Sequence, residues 1–364
     1  MGREEISDRQ GVLLVVMFVI GSTSILGIGG EAGRDSWLAT ILGTIISFPA
    51  LMIYAKILAT FPKEDLFSIL EVVFGKFLGK CISILYTWFA FHLGVLVLRN
   101  FGEFASTVSL LKTPMMATII ILNLLCIWAV ISGIEILGRW VQVTFIMLIV
   151  LIIVTIFFLI PDMDINRIQP ILSDGIKPVL KGAFSVFTFP FAETIIFCLV
   201  FSSLKDSKSS YRVYTWGLVI GGFMVISTAF TGILVLGENN YKELFFPYYS
   251  AVSRINIGNF IQRSEIVVSI AFLVGGFIKI SICFLGACKG VERICGLKDY
   301  RTIVVPVGLL MINLSNIIYD NVREMVQWAF KVWPYYAVVF QVILPTIVLF
   351  SIQVRKKKFK GEKE

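Results

Sequence analysis

The sequence predicts an all-α integral membrane protein: ten transmembrane helices in a five-plus-five inverted repeat, with broken first and sixth helices. Three observations predict it. Of 364 residues, 57% are hydrophobic and 15% charged, and the mean hydropathy is +0.88; a soluble domain carries about 25% charge. Apolar runs long enough to cross a bilayer recur along the whole length. The first and sixth runs are interrupted by helix breakers in corresponding places, which in membrane transporters marks a site near the bilayer midplane.

The runs fall at 11–32, 36–60, 79–110, 115–134, 138–160, 181–204, 212–237, 265–291, 302–319 and 333–354. The start MGREEISDRQ is polar and leads into a full-length span, so it reads as a lead-in and not a cleavable signal peptide. The first run contains GSTSILGIGG from Gly21 to Gly30. Backbone that leaves the helix in lipid must be buried in protein or line a cavity, because no water meets its N–H and C=O groups. Spans three and eight are long enough to tilt or to extend beyond the bilayer. The sixth run holds SVFTFPFAE from Ser185 to Glu193. Between spans seven and eight, 238–264 mixes aromatics with few charges and reads as an interfacial or re-entrant lid. The stretch 162–180 reads as a loop joining the halves.

Five spans in each half invert the second half relative to the first, giving 11–160 and 181–354 as repeats within one transmembrane domain, 1–364, with a basic tail at 355–364. With the N-terminus in the cytoplasm, inside segments collect 19 Lys and Arg and outside segments ten, which places both termini inside. The net charge of +8 is explained by these loops and by RKKKFKGEK, so membrane topology and lipid headgroups account for it and nucleic acid is not an expected partner. The six cysteines lie in or beside apolar runs without metal or disulfide spacing. No phosphate loop, triad or metal cluster supports an enzyme, and no cofactor is expected.

Candidate ligand-binding residues follow from the breaks. Gly27, Gly29 and Gly30 permit positive φ and close backbone approach, and Gly21 belongs to the same stretch. Ser22, Thr23 and Ser24 add hydroxyls. Freed N–H groups there can hold a carboxylate and freed carbonyls an ammonium; the alternative is a glycine-rich packing face. In the sixth run Pro190 removes a donor, with Phe187, Thr188 and Phe189 before it. Glu193 is an acid inside a span, a group that by default marks a pathway or a partner. It can bind a ligand ammonium, carry a proton or pair with Lys279, and the ligand is the favoured partner. Lys279 sits mid-span, too deep to snorkel. Its ammonium can replace a bound cation, holding the broken first helix by its carbonyls and making sodium unnecessary. Arg99 and Glu103 share a helix face and read as a local ion pair. The single His92 reads as a packing residue.

The start ISDRQGVLLVVMFVIGSTSIL, followed by GRDSWLATILG across Gly33–Gly43, resembles the spore germination permeases, the B subunits of nutrient germinant receptors. The ten spans, the FPFAE break and the lysine in the eighth span fit this resemblance, which covers essentially the whole chain. It implies a leucine-transporter-like fold within the amino acid–polyamine–organocation superfamily. It also implies a spore inner-membrane or cell-membrane location, a small nutrient ligand such as an amino acid, and A-type and C-type partner subunits. The resulting expectation is a nutrient-sensing subunit that triggers germination. The alternative is a proton-coupled or uncoupled amino-acid permease, and a channel or scaffold with a degenerate pocket is a third reading.

Overall fold

A computed structural model describes residues 4–23, 26–204, 206–255 and 265–361, with side chains through Arg355. Ser24, Arg3, Lys205 and Arg263, the end of the lid, the last three residues of the basic tail and the tail's side chains beyond Arg355 lie outside the residues so described. Among the described residues the chain is nearly all helix, and nine helices are long and apolar enough to cross a membrane. A tenth, α1 (Asp8–Thr23), has 16 residues and reaches about 24 Å at 1.5 Å per residue. That falls short of the roughly 30 Å hydrocarbon core.

Twelve of the 16 residues of α1 are buried. A helix that is apolar all round belongs inside a bundle, and α1 sits against α5 (Ile134–Leu159), α7 (Ser207–Glu243) and α9 (Glu265–Cys295). The long helix α3 (Leu66–Phe104) packs along α9, and α2 (Ser36–Thr60) packs on α7 and on α6 (Ile176–Val186). Helices α4 (Met115–Ser132) and α5 turn Ile121, Leu124, Trp128 and Phe157 outwards, as a lipid-facing wall requires. The remaining helices are α8 (Pro247–Val252), α10 (Val304–Ile317), α11 (Val322–Gln327), α12 (Trp333–Val338) and α13 (Leu344–Gly361).

Several boundaries differ from the hydropathy reading. A short helix over residues 66–74 precedes the third span, and Gly75, non-helical at φ 81 and ψ 171, separates it from the span proper, which begins just beyond it and close to the expected 79. The tenth starts at Val322 and not at 333, where Asn321 caps the helix through the Glu324 N–H at 3.1 Å. The joining stretch 162–180 is not simple loop: it holds a 3₁₀ turn, Ile165–Ile168, and the start of α6. The lid region continues α7 past a kink at Gly237 (φ 74) and then forms α8. Asp206 caps α7, accepting from Ser209 and Lys208 N–H groups at 2.9 and 2.8 Å, and these bonds hold its carboxyl below the usual range.

Candidate ligand site

The sixth span breaks where Pro190 predicts. Helix α6 ends at Val186, Phe187–Phe191 form a single π turn, and Phe189 is extended at φ −141 and ψ 114. A 3₁₀ stretch, Ala192–Leu199, follows. Proline supplies no N–H and its ring displaces the preceding turn, so nearby carbonyls lose helical partners and take others. Gln341 Nε2 donates to the Thr188 carbonyl at 2.9 Å, and the Tyr54 hydroxyl lies 3.3 Å from the Ala192 carbonyl. The Thr188 hydroxyl donates back to the Ser185 and Phe184 carbonyls at 3.0 and 3.1 Å.

One turn past the break, Glu193 Oε2 accepts from Lys279 Nζ of α9, and both side chains are 0% exposed. The ammonium also lies 4.9 Å from the ring centroids of Phe18 on α1 and Phe189 in the break, within cation–π range. Glu193 is paired with Lys279, one of the partners that the sequence reading offered it: a buried ammonium draws the nearest carboxylate. One expectation changes here: Lys279 does not hold α1 by carbonyls. The α1 backbone beside it is intact helix, whose carbonyls are already used, so Lys279 meets α1 through the Phe18 ring.

The glycines of the first run are spread out. Gly21 lets α1 cross α9 at Gly275: a Cβ on Gly275 would come within 2.6 Å of the Gly21 Cα. Ser22 is buried with an unpartnered hydroxyl, and Thr23 bonds back to the Val19 and Ile20 carbonyls at 3.2 Å. Gly27 packs against Pro247 of α8. Gly29, at φ 66, precedes a 3₁₀ turn, Gly30–Asp35, and abuts the Ser36 carbonyl; Gly30 has open space beside it. Phe187 stacks on Phe184 at 6.5 Å, and Pro190 is buried. Among the described residues of the two breaks, Leu26, Phe189 and Glu193 line one shared cavity. Its volume is 30 Å³, room for a water or two at roughly 10–15 Å³ each.

That cavity also brings in residues that the sequence reading did not single out. Asn100 of α3, and Trp328 and Trp333 of the tenth span, line it. Trp328 opens a second π turn, Trp328–Val332. The Trp328 indole nitrogen is buried without a hydrogen-bond partner, and the Trp333 indole faces the Glu193 carboxyl. Tryptophans near a span end read as an interfacial belt, which hides them; two of them five residues apart in a span with Gln341 further along is the signal available.

Arg99 and Glu103 form the expected pair, Nε and Nη2 to Oε1 at 2.9 and 2.6 Å. The guanidinium does more: it donates to the Ser315, Asn316 and Tyr319 carbonyls at 3.0, 2.8 and 2.7 Å, capping the C-terminus of α10. His92 packs in an aromatic nest, stacked on Trp88 at 5.3 Å with Trp328 and Tyr336 edge-on, but its buried Nδ1 lacks the hydrogen bond expected of such a residue. The GRDSW stretch is a clasp at the far end of α1. Gly33, at φ 58, has no room for a Cβ beside Glu238; Arg34 pairs with Glu238 at 2.8 Å and reaches the Gln169 carbonyl at 3.0 Å; Asp35 accepts the Leu172 N–H at 3.1 Å.

A helical bundle with a broken sixth span, a buried ion pair beside the break and a first span that ends early has the architecture of the leucine-transporter-fold membrane proteins, and solved structures agree. The chain superposes on the nucleobase–cation-symport-1 family transporter Mhp1, in a closed conformation with bromovinylhydantoin bound, with a TM-score of 0.69 over 95% of this chain and 78% of that one at 10% identity. It superposes on MhsT in complex with L-phenylalanine at 0.63 over 97% and 99%, with 14% identity. Within that fold the chain belongs to the spore germination protein family, whose model matches residues 5–325. It is 29% identical to spore germination protein KB of Bacillus subtilis over 98% of this chain and 97% of that protein. It is 25% identical to spore germination protein YndE of the same organism over 71% and 72%.

Proposed function

We propose that this chain is the nutrient-sensing membrane subunit of a spore germinant receptor. It binds an amino acid or similar small nutrient at the sixth-span break and triggers germination through A-type and C-type partner subunits. The observation that carries the reading is the fully buried Lys279–Glu193 pair set against Phe189 of the break, beside a cavity that reaches Leu26 of the first. A ligand ammonium competes with Lys279 for Glu193, so the ligand-bound and ligand-free bundles differ in their buried charge contacts. A ligand with differential affinity for two such states shifts their populations. The family membership and the neighbouring transporter bound to L-phenylalanine support a small ligand.

In this reading the protein sits in the spore inner membrane or the cell membrane with both termini cytoplasmic, and its halves, 11–160 and 181–354, are inverted repeats. Lys279 supplies the fixed positive charge that a bound cation would bring, so sodium is not required. The test is a binding screen of amino acids, sugars and nucleosides on the receptor complex, repeated with sodium replaced by choline. Binding unchanged by the replacement is expected, and a steep sodium dependence refutes the role given to Lys279. The competing reading, a proton-coupled or uncoupled permease, draws on the transporter fold. Uptake of labelled amino acid into vesicles containing this chain alone would establish it.

A further inference from the structure

The helices fall into two packing groups. Helices α3, α4, α9 and α10 pack on one another, and so do α1, α2, α6 and α7, while the sixth-span stretch Ala192–Leu199 lies between α2 and α9. At the end of the bundle that carries the N-terminus, residues 4–8 cross from one group to the other. On the side of α1 and α7, the Ile6 N–H donates to the Ser203 carbonyl at 3.0 Å, Ile6 bridges Leu204, and Asp8 pairs with Arg212 of α7 at 3.2 Å. On the other side, Glu4 pairs at 2.7 Å with Arg301, in the turn between α9 and α10. That guanidinium also donates to the Ile131 carbonyl of α4 at 2.9 Å. The Glu5 N–H donates to Glu135 at the start of α5 at 2.8 Å. Gly133, at φ 89, leaves the Glu4 carboxylate the place that a Cβ would fill. A chain terminus frays unless it is tied down; this one is tied to both groups, with Ile6 only 2% exposed.

The opposite end is joined by different chemistry. There α8 packs on α7 and α9 and carries no charged residue. Beside it Phe104 of α3 meets Phe246 and Tyr249 edge-on at 5.2 and 5.4 Å. The Arg34–Glu238 pair at that end ties α7 to the turn before α2, within one group. Ion pairs and backbone bonds thus cross between the groups at the N-terminal end, where the α8 end relies on apolar contact. We propose that residues 4–8 are a latch that locks the two packing groups together at the N-terminal end, so that the bundle opens at the α8 end while the latch is seated. This goes beyond the sensor reading. A nutrient then enters and leaves by the α8 end, and its binding is not followed by release at the other.

The test needs no nutrient, so it stands apart from the sensor reading. The purified full chain in lipid nanodiscs carries one added thiol, either Leu199→Cys, where Leu199 meets Gly286 of α9, or Ala251→Cys in α8; both side chains are 0% exposed. Labelling by N-ethylmaleimide is read by mass as the increment over the chain without the added thiol, relative to the rate in denaturant. With the latch intact, Ala251→Cys is expected to label faster than Leu199→Cys, and the reverse order overturns the asymmetry. Glu4→Gln removes the charge facing Arg301, and Ile6→Pro removes the donor to Ser203. Each is expected to raise Leu199→Cys labelling about three- to fivefold, the weight of one hydrogen bond or partly exposed ion pair, and to leave Ala251→Cys unchanged. Salt at about 1 M, which screens such pairs, should raise Leu199→Cys labelling with Glu4 present more than in Glu4→Gln, and an equal response counts against the pair. Arg34→Gln loosens a contact within one group and should not change Leu199→Cys labelling. Unchanged labelling in both strap variants, an equal rise in Arg34→Gln, or an equal rise at both thiols overturns the latch.

Discussion

Lys279→Met leaves the Glu193 carboxylate at 0% exposure with no counter-charge. Removing one partner of a buried pair typically costs about 3–5 kcal/mol. An independent figure agrees: two unit charges 4 Å apart attract by about 4 kcal/mol at an effective dielectric near 20, and this pair is in direct contact. Methionine keeps most of the apolar volume between Phe18 and Phe189, so packing adds little to the loss. At about 2 °C per kcal/mol for a large chain, the midpoint of thermal unfolding should fall by roughly 6–10 °C. Glu193→Gln should fall by a similar amount, because Lys279 is then the orphan. The double variant leaves two neutral groups, so it should recover more than half of the sum of the two losses, a coupling that only a double-mutant cycle isolates. Lys279→Arg should recover little, since a planar guanidinium does not fit the place of a compact ammonium between two rings. The assay is fluorescence-detected size-exclusion after heating, on detergent-solubilised protein at fixed lipid content. Additive single losses, or single variants that melt like the wild type, would show that the pair is not a coupled unit.

Three further outcomes follow from the glycines and from Arg99. Gly29→Val should weaken the germination response, because φ 66 is strained for a branched residue and the Ser36 carbonyl stands 3.0 Å from the added Cβ; Gly30→Val, with open space, should respond normally, and equal loss in both would discredit the distinction. Gly21→Ala should lower the melting midpoint by forcing α1 from α9 at Gly275, whereas Gly276→Ala, whose Cβ would find its nearest neighbour at 3.8 Å, should not; matching melting curves would refute the crossing. Arg99→Met should cost about 3–5 kcal/mol, since it strips one carboxylate and three carbonyls of their donor, and wild-type abundance in membranes would contradict that.

The bundle was legible in the sequence because hydropathy reports the one constraint lipid imposes everywhere. The sixth-span break was legible because proline acts on the backbone directly, whatever surrounds it. The Asn321 cap was missed as a boundary because charges at a membrane end look like loop. The partner of Glu193 turned on helical phase after the break, and a π turn followed by a 3₁₀ stretch rotates that phase by an amount no periodicity rule carries. The dispersal of Gly21, Gly27, Gly29 and Gly30 was hidden for a different reason. Gly21, Gly27 and Gly29 each permit a close approach, but the sequence does not say to what, and here the neighbours are Gly275, Pro247 and Ser36 from three different elements, while Gly30 has open space beside it. Trp328 and Trp333 were masked by their resemblance to interfacial anchors.

The break in the sixth span and the π turns of the tenth are not independent. A second π segment, Val339–Ile343, frees carbonyls at Phe340 and Gln341. Tyr86 of α3 donates to the first at 3.0 Å, and Tyr54 of α2 donates to the second while lying beside the Ala192 carbonyl. Gln341 in turn donates to Thr188. Tyr54 thus reaches carbonyls of both discontinuities and Gln341 bonds one to the other, so neither break can shift without disturbing this set. At about 0.5–1.5 kcal/mol net for each such bond, exchanging three or four of them costs a few kcal/mol. A micromolar ligand releases about 8 kcal/mol on binding, and reversing a 1:99 equilibrium takes about 5.5 kcal/mol of differential affinity. On the proposed sensor reading, such an interlock would hold one state without ligand and yield to a small nutrient. The tenth span, continuous through α13 with the basic end of the chain, is the element whose movement such a switch would carry out of the membrane.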